Sequence, residues 1–356
     1  MGTELPLPET RVLAVASHVV SGYVGNKIAV FVMQSLGCDV AALNTVHFSN
    51  HTGYKQFKGT KVTAQEISEL YQGLKQSYLD DFDMMLSGYI PGAEAVGAVG
   101  AIAKDLKARA EKSPGSFFWV LDPVMGDNGR VYVAPDVVPA YRSLVPYADL
   151  ILPNQFEAEL LSDVKITDMA SLTEAIQVLH DKYKVPHVVI TSVNLPAADQ
   201  PEAHLSVVGS TMTSTGRARL FKIVFPSIDC YFCGTGDMFG ALMVVRMREA
   251  VSAVPGLSSR PNWVSPDDVG AVDLPAAKAA EKVLASMHEL LERTSQGIKA
   301  VVERTKSKMG EASVPAGEEE LAKREQLLNS KGAELQLVRN QVCLRAPAMQ
   351  FKAKAL

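Results

Sequence analysis

Cysteine is scarce in this chain: four residues, Cys38, Cys230, Cys233 and Cys343, are too few and too scattered for a disulfide framework. Cys230 and Cys233 do form a C-x-x-C pair, a spacing used by redox and metal sites, but no second pair or histidine cluster accompanies it. In a strand-like run, the pair reads as inert core thiols. An excess of basic charge is also missing. The 35 Lys and Arg against 39 Asp and Glu give a net charge of −4, which argues against a nucleic-acid-binding surface. No apolar run reaches the roughly 18 residues of a membrane span. The start, Met1-Gly2-Thr3-Glu4-Leu5-Pro6, lacks the basic and apolar segments of a secretory signal, and Pro6 stands where myristoylation at Gly2 needs Ser or Thr. Internal repeats are absent. A cytoplasmic protein is expected, with the nucleus an open alternative, and with no membrane or nucleic-acid partner.

What is present is 356 residues, 47% hydrophobic and 21% charged, ample for a well-filled core. Short apolar runs alternate with amphipathic stretches. Strands are expected at Arg11–Ala16, Val40–Leu43, Phe82–Leu86, Phe117–Leu121, Leu150–Leu152 and His187–Thr191, and helices at Val24–Leu36, Ala64–Tyr78, 93–111, 136–146 and 154–183. The strand runs are continuous in Val, Ile and Leu, as in strands covered on both faces. Leu205–Val208 and Arg219–Val224 have no helix between them, which suggests an antiparallel edge. The expected fold is α/β, a mostly parallel central sheet with helices on both faces, in a single domain over residues 10–356. Pro255 to Pro275 reads as a surface insertion (near 253–275), Ala276–Val302 as an amphipathic helix, 303–330 as a mobile segment, and Glu334–Val342 as a late strand.

Cys233-Gly234-Thr235-Gly236-Asp237-Met238-Phe239-Gly240 closes a strand-like stretch and opens an apolar helix. Glycines at 234 and 236 let backbone approach an anion, and the free N–H groups of a helix start point at it. Asp237, in the first turn, is placed to take a proton from an attacking hydroxyl, although Asp is also an ordinary first-turn residue. Ligands of open α/β sheets bind at the carboxyl ends of strands. Polar and acidic residues collect there: Ser17 to Asn26, Asn44 to Tyr54, Ser87-Gly88-Tyr89, Asp122 to Gly129, Pro153 to Glu159, and Thr191-Ser192.

Ser17-His18-Val19-Val20-Ser21-Gly22-Tyr23-Val24-Gly25-Asn26, Phe48-Ser49-Asn50-His51-Thr52-Gly53-Tyr54, Asp122-Pro123-Val124-Met125-Gly126-Asp127, Pro153-Asn154-Gln155-Phe156-Glu157-Ala158-Glu159-Leu160-Leu161 and Gly234-Thr235-Gly236-Asp237 together resemble the pyridoxal kinase family of the ribokinase-like superfamily. The resemblance runs from about residue 11 to 250 and more weakly beyond 276. It implies the ribokinase-like three-layer fold, ATP-dependent phosphorylation of the 5′-hydroxyl of B6 vitamers, and a homodimer. By the same resemblance, Asp237 is the general base, and the Gly234–Gly236 backbone holds the transferring phosphoryl group. Ser17, Thr52, Tyr89, Val46 and Phe48 surround the vitamer with Asp237, while His51 is a weaker candidate. ATP contacts fall on Asp127, Tyr132, Asn154, Glu157, Thr191, Ser192, Ile228, Thr235 and Gly236. Asp127 and Glu157 are expected to handle Mg²⁺ or another divalent cation, since hard cations take oxygen ligands beside nucleotide phosphates. Asn154 and Glu157, three apart at a helix start, also suit a capping interaction. Asp122 matches a monovalent-cation position (K⁺ or Na⁺), but Leu152 stands where the mammalian pattern has Thr and offers no side-chain oxygen. A short flap over Asp127–Val133, with Gly126 and Gly129 as hinges, would cover the phosphates. The same motifs leave two alternatives: a hydroxymethylpyrimidine kinase, or a non-catalytic B6-vitamer carrier.

Overall fold

The computed structural model describes residues 7–197, 199–309 and 317–356. Alternation of apolar runs and helical stretches builds a strand–helix series. It begins with β1 (Arg11–Val19), α1 (Asn26–Ser35), β2 (Asp39–Phe48), β3 (Gly59–Lys61), α2 (Ala64–Gln76), β4 (Met84–Ser87), α3 (Ala93–Ala110) and β5 (Phe118–Leu121). A small hairpin, β6 (Gly126–Asp127) and β7 (Arg130–Val131), precedes α4 (Val137–Leu144), β8 (Leu150–Ile151), α5 (Gln155–Ser162), α6 (Met169–Tyr183) and β9 (His187–Val193). Then come β10 (His204–Met212), β11 (Ala218–Pro226), α7 (Thr235–Ser252), α8 (Pro275–Met309), α9 (Glu318–Gly332), α10 (Gln341–Arg345) and β12 (Lys354–Ala355).

The main sheet has 10 strands in the order β12-β11-β10-β9-β8-β5-β4-β1-β2-β3. Neighbours from β9 through β2 are parallel, and antiparallel strands finish both edges. The pleat sends alternate residues to opposite faces. Val12, Ala14, Met84, Leu86, Phe118 and Val120 join the core under α1, α7 and α8. Leu13, Val15, Met85, Trp119 and Leu121 join the core under α3, α4 and α6. The result is the expected α/β arrangement with helices on both faces.

Several expected boundaries move. Strand β1 passes Ala16 through a bulge and pairs His18 with His47 and Val19 with Phe48, so Ser17 and Asn44–Phe48 lie inside strands rather than after them. Polar side chains hid this extension, because ladder bonds are made by backbone whatever the side chain. The single helix expected over 154–183 is two: Asp163 takes a left-handed conformation (φ 62°) that ends α5, and Asp168 caps α6. Glu334–Val342 is not a strand but a turn, a 3₁₀ turn at Val338–Asn340 and the start of α10; the docking strand is Lys354–Ala355, on β11. Residues 253–275 form short 3₁₀ turns at Leu257–Ser259, Pro261–Trp263 and Ala271–Asp273. Leu257 and Trp263 from this stretch are buried, so it is anchored rather than merely solvated. Of the segment near 303–330, residues up to 309 continue α8 and Glu318 onward forms α9, while 310–316 lie outside the described residues.

Candidate active site

The carboxyl ends of β1, β4, β5, β8 and β9 open into a cavity of about 310 Å³, closed on one side by the first turn of α7. Ser17, Tyr89, Asp122, Asp127, Tyr132, Asn154, Glu157, Thr191, Ser192, Gly234, Thr235, Gly236 and Asp237 all line it, as does Leu152. Motifs far apart in sequence therefore meet at one wall, as the strand-end rule requires.

Gly234 is the N-cap of α7, with φ 85°; a Cβ there would lie 2.4 Å from the Tyr23 carbonyl oxygen. No bulkier residue fits that approach. The helix then starts at Thr235, so its first N–H groups have no acceptor within the helix and face the cavity. At Gly236 the nearest atom to a notional Cβ is Asp122 Oδ2, 3.9 Å away, which sets the Asp122 carboxylate beside the helix start. Asp237 accepts the Gly25 N–H. Gly25, at φ 54°, packs so tightly that a Cβ would fall 2.0 Å from the Ser17 carbonyl oxygen. Burial pushes the Asp237 pKa up to about 6, against the pull of the Gly25 N–H. Asp122 is raised well above the carboxylate range by burial, then by Glu157 and Asp237 nearby. Among the described residues no ion pair neutralises any of these three carboxyls.

Glu157 is 3% exposed, and its oxygens are already engaged. Oε1 accepts the N–H groups of Met125 (2.8 Å) and Gly126 (3.3 Å), and Oε2 that of Asn154 (2.9 Å). Asn154 completes a capping box by accepting the Glu157 N–H at 2.9 Å, and its amide donates to the Gly126 carbonyl at 2.7 Å. Burial lifts the Glu157 pKa to about 7 despite those donors. The pair thus fastens the root of the β6–β7 hairpin to the start of α5. The stretch expected as a flap, Asp127–Val133, begins in that hairpin, which turns at Asn128 (φ 50°) and Gly129 (φ 76°), an Asn-Gly turn suited to strand twist. Gly126 is not a free hinge, since a Cβ there would meet the Arg130 carbonyl oxygen at 2.4 Å. Tyr132, beyond the hairpin, is 59% exposed where it borders the cavity. Ser192 holds φ 53°, a left-handed conformation rare for serine, at the end of β9.

Four expected contacts do not line the cavity. Val46 and Phe48 are buried with Val19 and Val24 in a small cluster against Tyr89 and Cys233, so they back the wall. Thr52 is exposed on a 3₁₀ turn, Thr52–Tyr54, and Ile228 lies half-buried in the loop after β11. Cys230 and Cys233 occupy that same loop as half-buried free thiols, not core thiols in a strand. Val124, Phe239 and Met287 line the cavity without having been expected; as apolar residues in a loop and two helices they carry no signal that separates them from core.

The donor set suits a divalent cation held by few protein ligands. Among the described residues no three His, Cys, Asp or Glu side chains form a ready cage. Asp122 and Asp127 border the cavity with no balancing lysine or arginine, a combination that suits a cation completed by phosphates and water.

Comparison with known proteins agrees with this geometry. The phosphomethylpyrimidine kinase family matches residues 43–253. A pyridoxal kinase of Ovis aries is 36% identical over 82% of this chain and 88% of its own length. That of Arabidopsis thaliana is 34% identical over 98% and 96%. The chain belongs to the pyridoxal kinase family. In this family, a Leishmania donovani pyridoxal kinase solved in complex with ADP and pyridoxamine superimposes with a TM-score of 0.75, at 31% identity, over 98% of this chain and 100% of that one. The family carries the ribokinase-like fold, and the strand order and two-faced core described above are its architecture in this chain.

Proposed function

We propose that this chain transfers the terminal phosphoryl group of ATP to the 5′-hydroxyl of pyridoxal, pyridoxine and pyridoxamine. The observation that carries the reading is Asp237, recessed in the cavity in the first turn of α7 beside the unpaired N–H groups of Thr235 and Gly236. Ionised Asp237 accepts the hydroxyl proton, and general-base help of this kind is worth about 10²–10⁴ in rate. The N–H groups at 234–236 stabilise charge that builds on the phosphoryl oxygens, so positioning and preorganised dipoles do most of the work. Ser17 and Tyr89 border the vitamer side of the cavity; Thr191, Ser192, Asn154 and Tyr132 border the nucleotide side. The hairpin at 126–131 excludes water and limits hydrolysis of ATP.

A divalent cation such as Mg²⁺, when bound, supplies neutralisation of phosphate charge. Asp122 and Asp127 are the residues to hold it, and Glu157 supports them chiefly by fixing the loop that carries Asp127. A monovalent ion near Asp122 would need backbone carbonyls, because Leu152 contributes none of the oxygen a Thr would. The family resemblance supports a homodimer, to be checked by the sedimentation mass against the 38.3 kDa chain. Among the described residues no helix is long and apolar enough to cross a membrane, and the cytoplasm is our placement.

A second reading, phosphorylation of hydroxymethylpyrimidine, is favoured by the name of the matching family alone. The deciding assay is ATP-dependent phosphorylation of pyridoxal, pyridoxine and hydroxymethylpyrimidine by the native chain and by Asp237→Asn. Vitamer phosphate that falls a hundredfold or more in the variant supports the proposal. Product from hydroxymethylpyrimidine alone selects the second reading, and vitamer binding with no product from either protein would make the chain a carrier.

A further inference from the structure

The turn that follows α9 lies outside residues 43–253 of the family match, yet it sends a carboxylate to the loops after β1 and β2. Glu334 Oε1 accepts the Tyr54 hydroxyl at 3.0 Å and stands 3.1 Å from His51 Nε2; Oε2 accepts the Tyr23 N–H at 3.1 Å. Gly22 makes room for it, since a Cβ there would lie 2.6 Å from Oε1. The His51 and Glu334 side chains are 9% and 20% exposed, so their attraction is screened less than at a surface pair. Burial works against charge on His51, but Cys233 and Glu334 beside it hold its pKa up at about 9.

The three partners of Glu334 sit on two loops that flank Gly234. The Tyr23 carbonyl oxygen fills the space a Cβ at Gly234 would need, 2.4 Å away. Gly53, between His51 and Tyr54, packs on the Cys233 sulfur, 2.8 Å from its notional Cβ. Gln326 of α9 adds a hydrogen bond to the Gly53 carbonyl at 3.3 Å. One carboxylate therefore joins the loop after β1 to the loop after β2, and both loops pack on the turn that opens α7.

We propose that Glu334 is a positioning residue for the vitamer side of the site, clamping residues 22–23 and 51–54 against Cys233-Gly234, so that the C-terminal segment sets how well the vitamer is held. The proposal rests on the B6-kinase reading above. It follows that damage to the clamp separates the two substrates: Asn154, Thr191 and Ser192, on the nucleotide side, make no contact with Glu334 among the described residues.

The test is steady-state kinetics of Glu334→Ala, Glu334→Gln, His51→Gln and the double variant Glu334→Gln/His51→Gln, varying pyridoxal and ATP separately. In Glu334→Ala, kcat/KM for pyridoxal is expected to fall about tenfold or more while the KM for ATP stays within about twofold. Glu334→Gln keeps an acceptor for the Tyr23 N–H and is expected to lose about threefold, and the double variant to be no worse than the poorer single one, since the pair acts as a unit. If Glu334→Ala does not fold, the two Gln variants carry the same comparison. Equal losses toward pyridoxal and ATP, or unchanged pyridoxal kinetics in a folded variant, overturn the proposal. A native chain that makes no vitamer phosphate overturns the B6-kinase reading and this one with it, whereas an active native chain with unaffected variants overturns this one alone.

Discussion

At Asp237 burial and the Gly25 N–H act in opposite directions, and burial prevails, leaving the pKa at about 6. The general base we propose works ionised, so kcat/KM for pyridoxal should climb through pH 6 and level off above it. A pH–rate profile checks this, and the acidic limb assigned to residue 237 should vanish in the residual activity of Asp237→Asn. Glycine makes a second residue-scale test. Gly234 and Gly129 both have positive φ, but only at Gly234 is a Cβ obstructed, by the Tyr23 carbonyl oxygen; at Gly129 nothing lies within 4 Å. Gly234→Ala should therefore cost about 2 kcal/mol or more, against about 1 for Gly129→Ala, by chemical denaturation. It should also lower kcat, because the Tyr23 loop and the first N–H groups of α7 must shift. The Gly-Thr-Gly-Asp run was readable as a tight turn into a helix because glycine spacing and a helix start are local facts. Glu157 shows the limit at this scale. Its spacing from Asn154 suited a metal ligand and a capping box alike, and three backbone donors now occupy its oxygens.

Elements obeyed their local patterns wherever one face met a core. Strand interiors and α2 fell where apolar periodicity put them, and the Gly-rich turn opens α7 as expected. The stretch 253–275 did not behave as its composition suggested. Prolines, serines and aspartates there mask an aromatic anchor: Trp263 stacks on Phe118 with ring centroids 4.1 Å apart and planes 8° from parallel, and donates to the Gly115 carbonyl at 2.9 Å. Trp263→Ala should cost about 3–5 kcal/mol, read from urea unfolding, with the KM for ATP unchanged because the residue does not border the cavity. One buried aromatic leaves no periodic trace, so the anchor could not be read from the chain. The same holds for 334–342, where alternation suggested a strand but packing onto α8 and α1 made a turn and a short helix.

At the scale of the whole molecule, the last residues close the core. Leu335, Leu337, Cys343, Leu344 and Phe351 belong to the apolar cluster beneath α1, α7 and α8, and the Leu344 carbonyl accepts a bond from the nearly buried Arg246. A chain ending at residue 317 should lose this closure, leave Arg246 with Glu249 but without its Leu344 acceptor, and be cut rapidly by trypsin under conditions where the full chain resists; equal resistance would show the segment to be dispensable. By itself, the sequence determined the strand and helix series, the end of the sheet where ligand chemistry collects, and the Gly-Thr-Gly-Asp turn, since propensity and periodicity act over a few residues. The meeting of groups remote along the chain was decided only by tertiary structure: Asp122 beside Gly236, Val46 and Phe48 behind Tyr89 instead of in the cavity, and Glu334 on His51. Crossover connections fix the strand order, and that order, invisible to any local pattern, chooses which strand ends become neighbours.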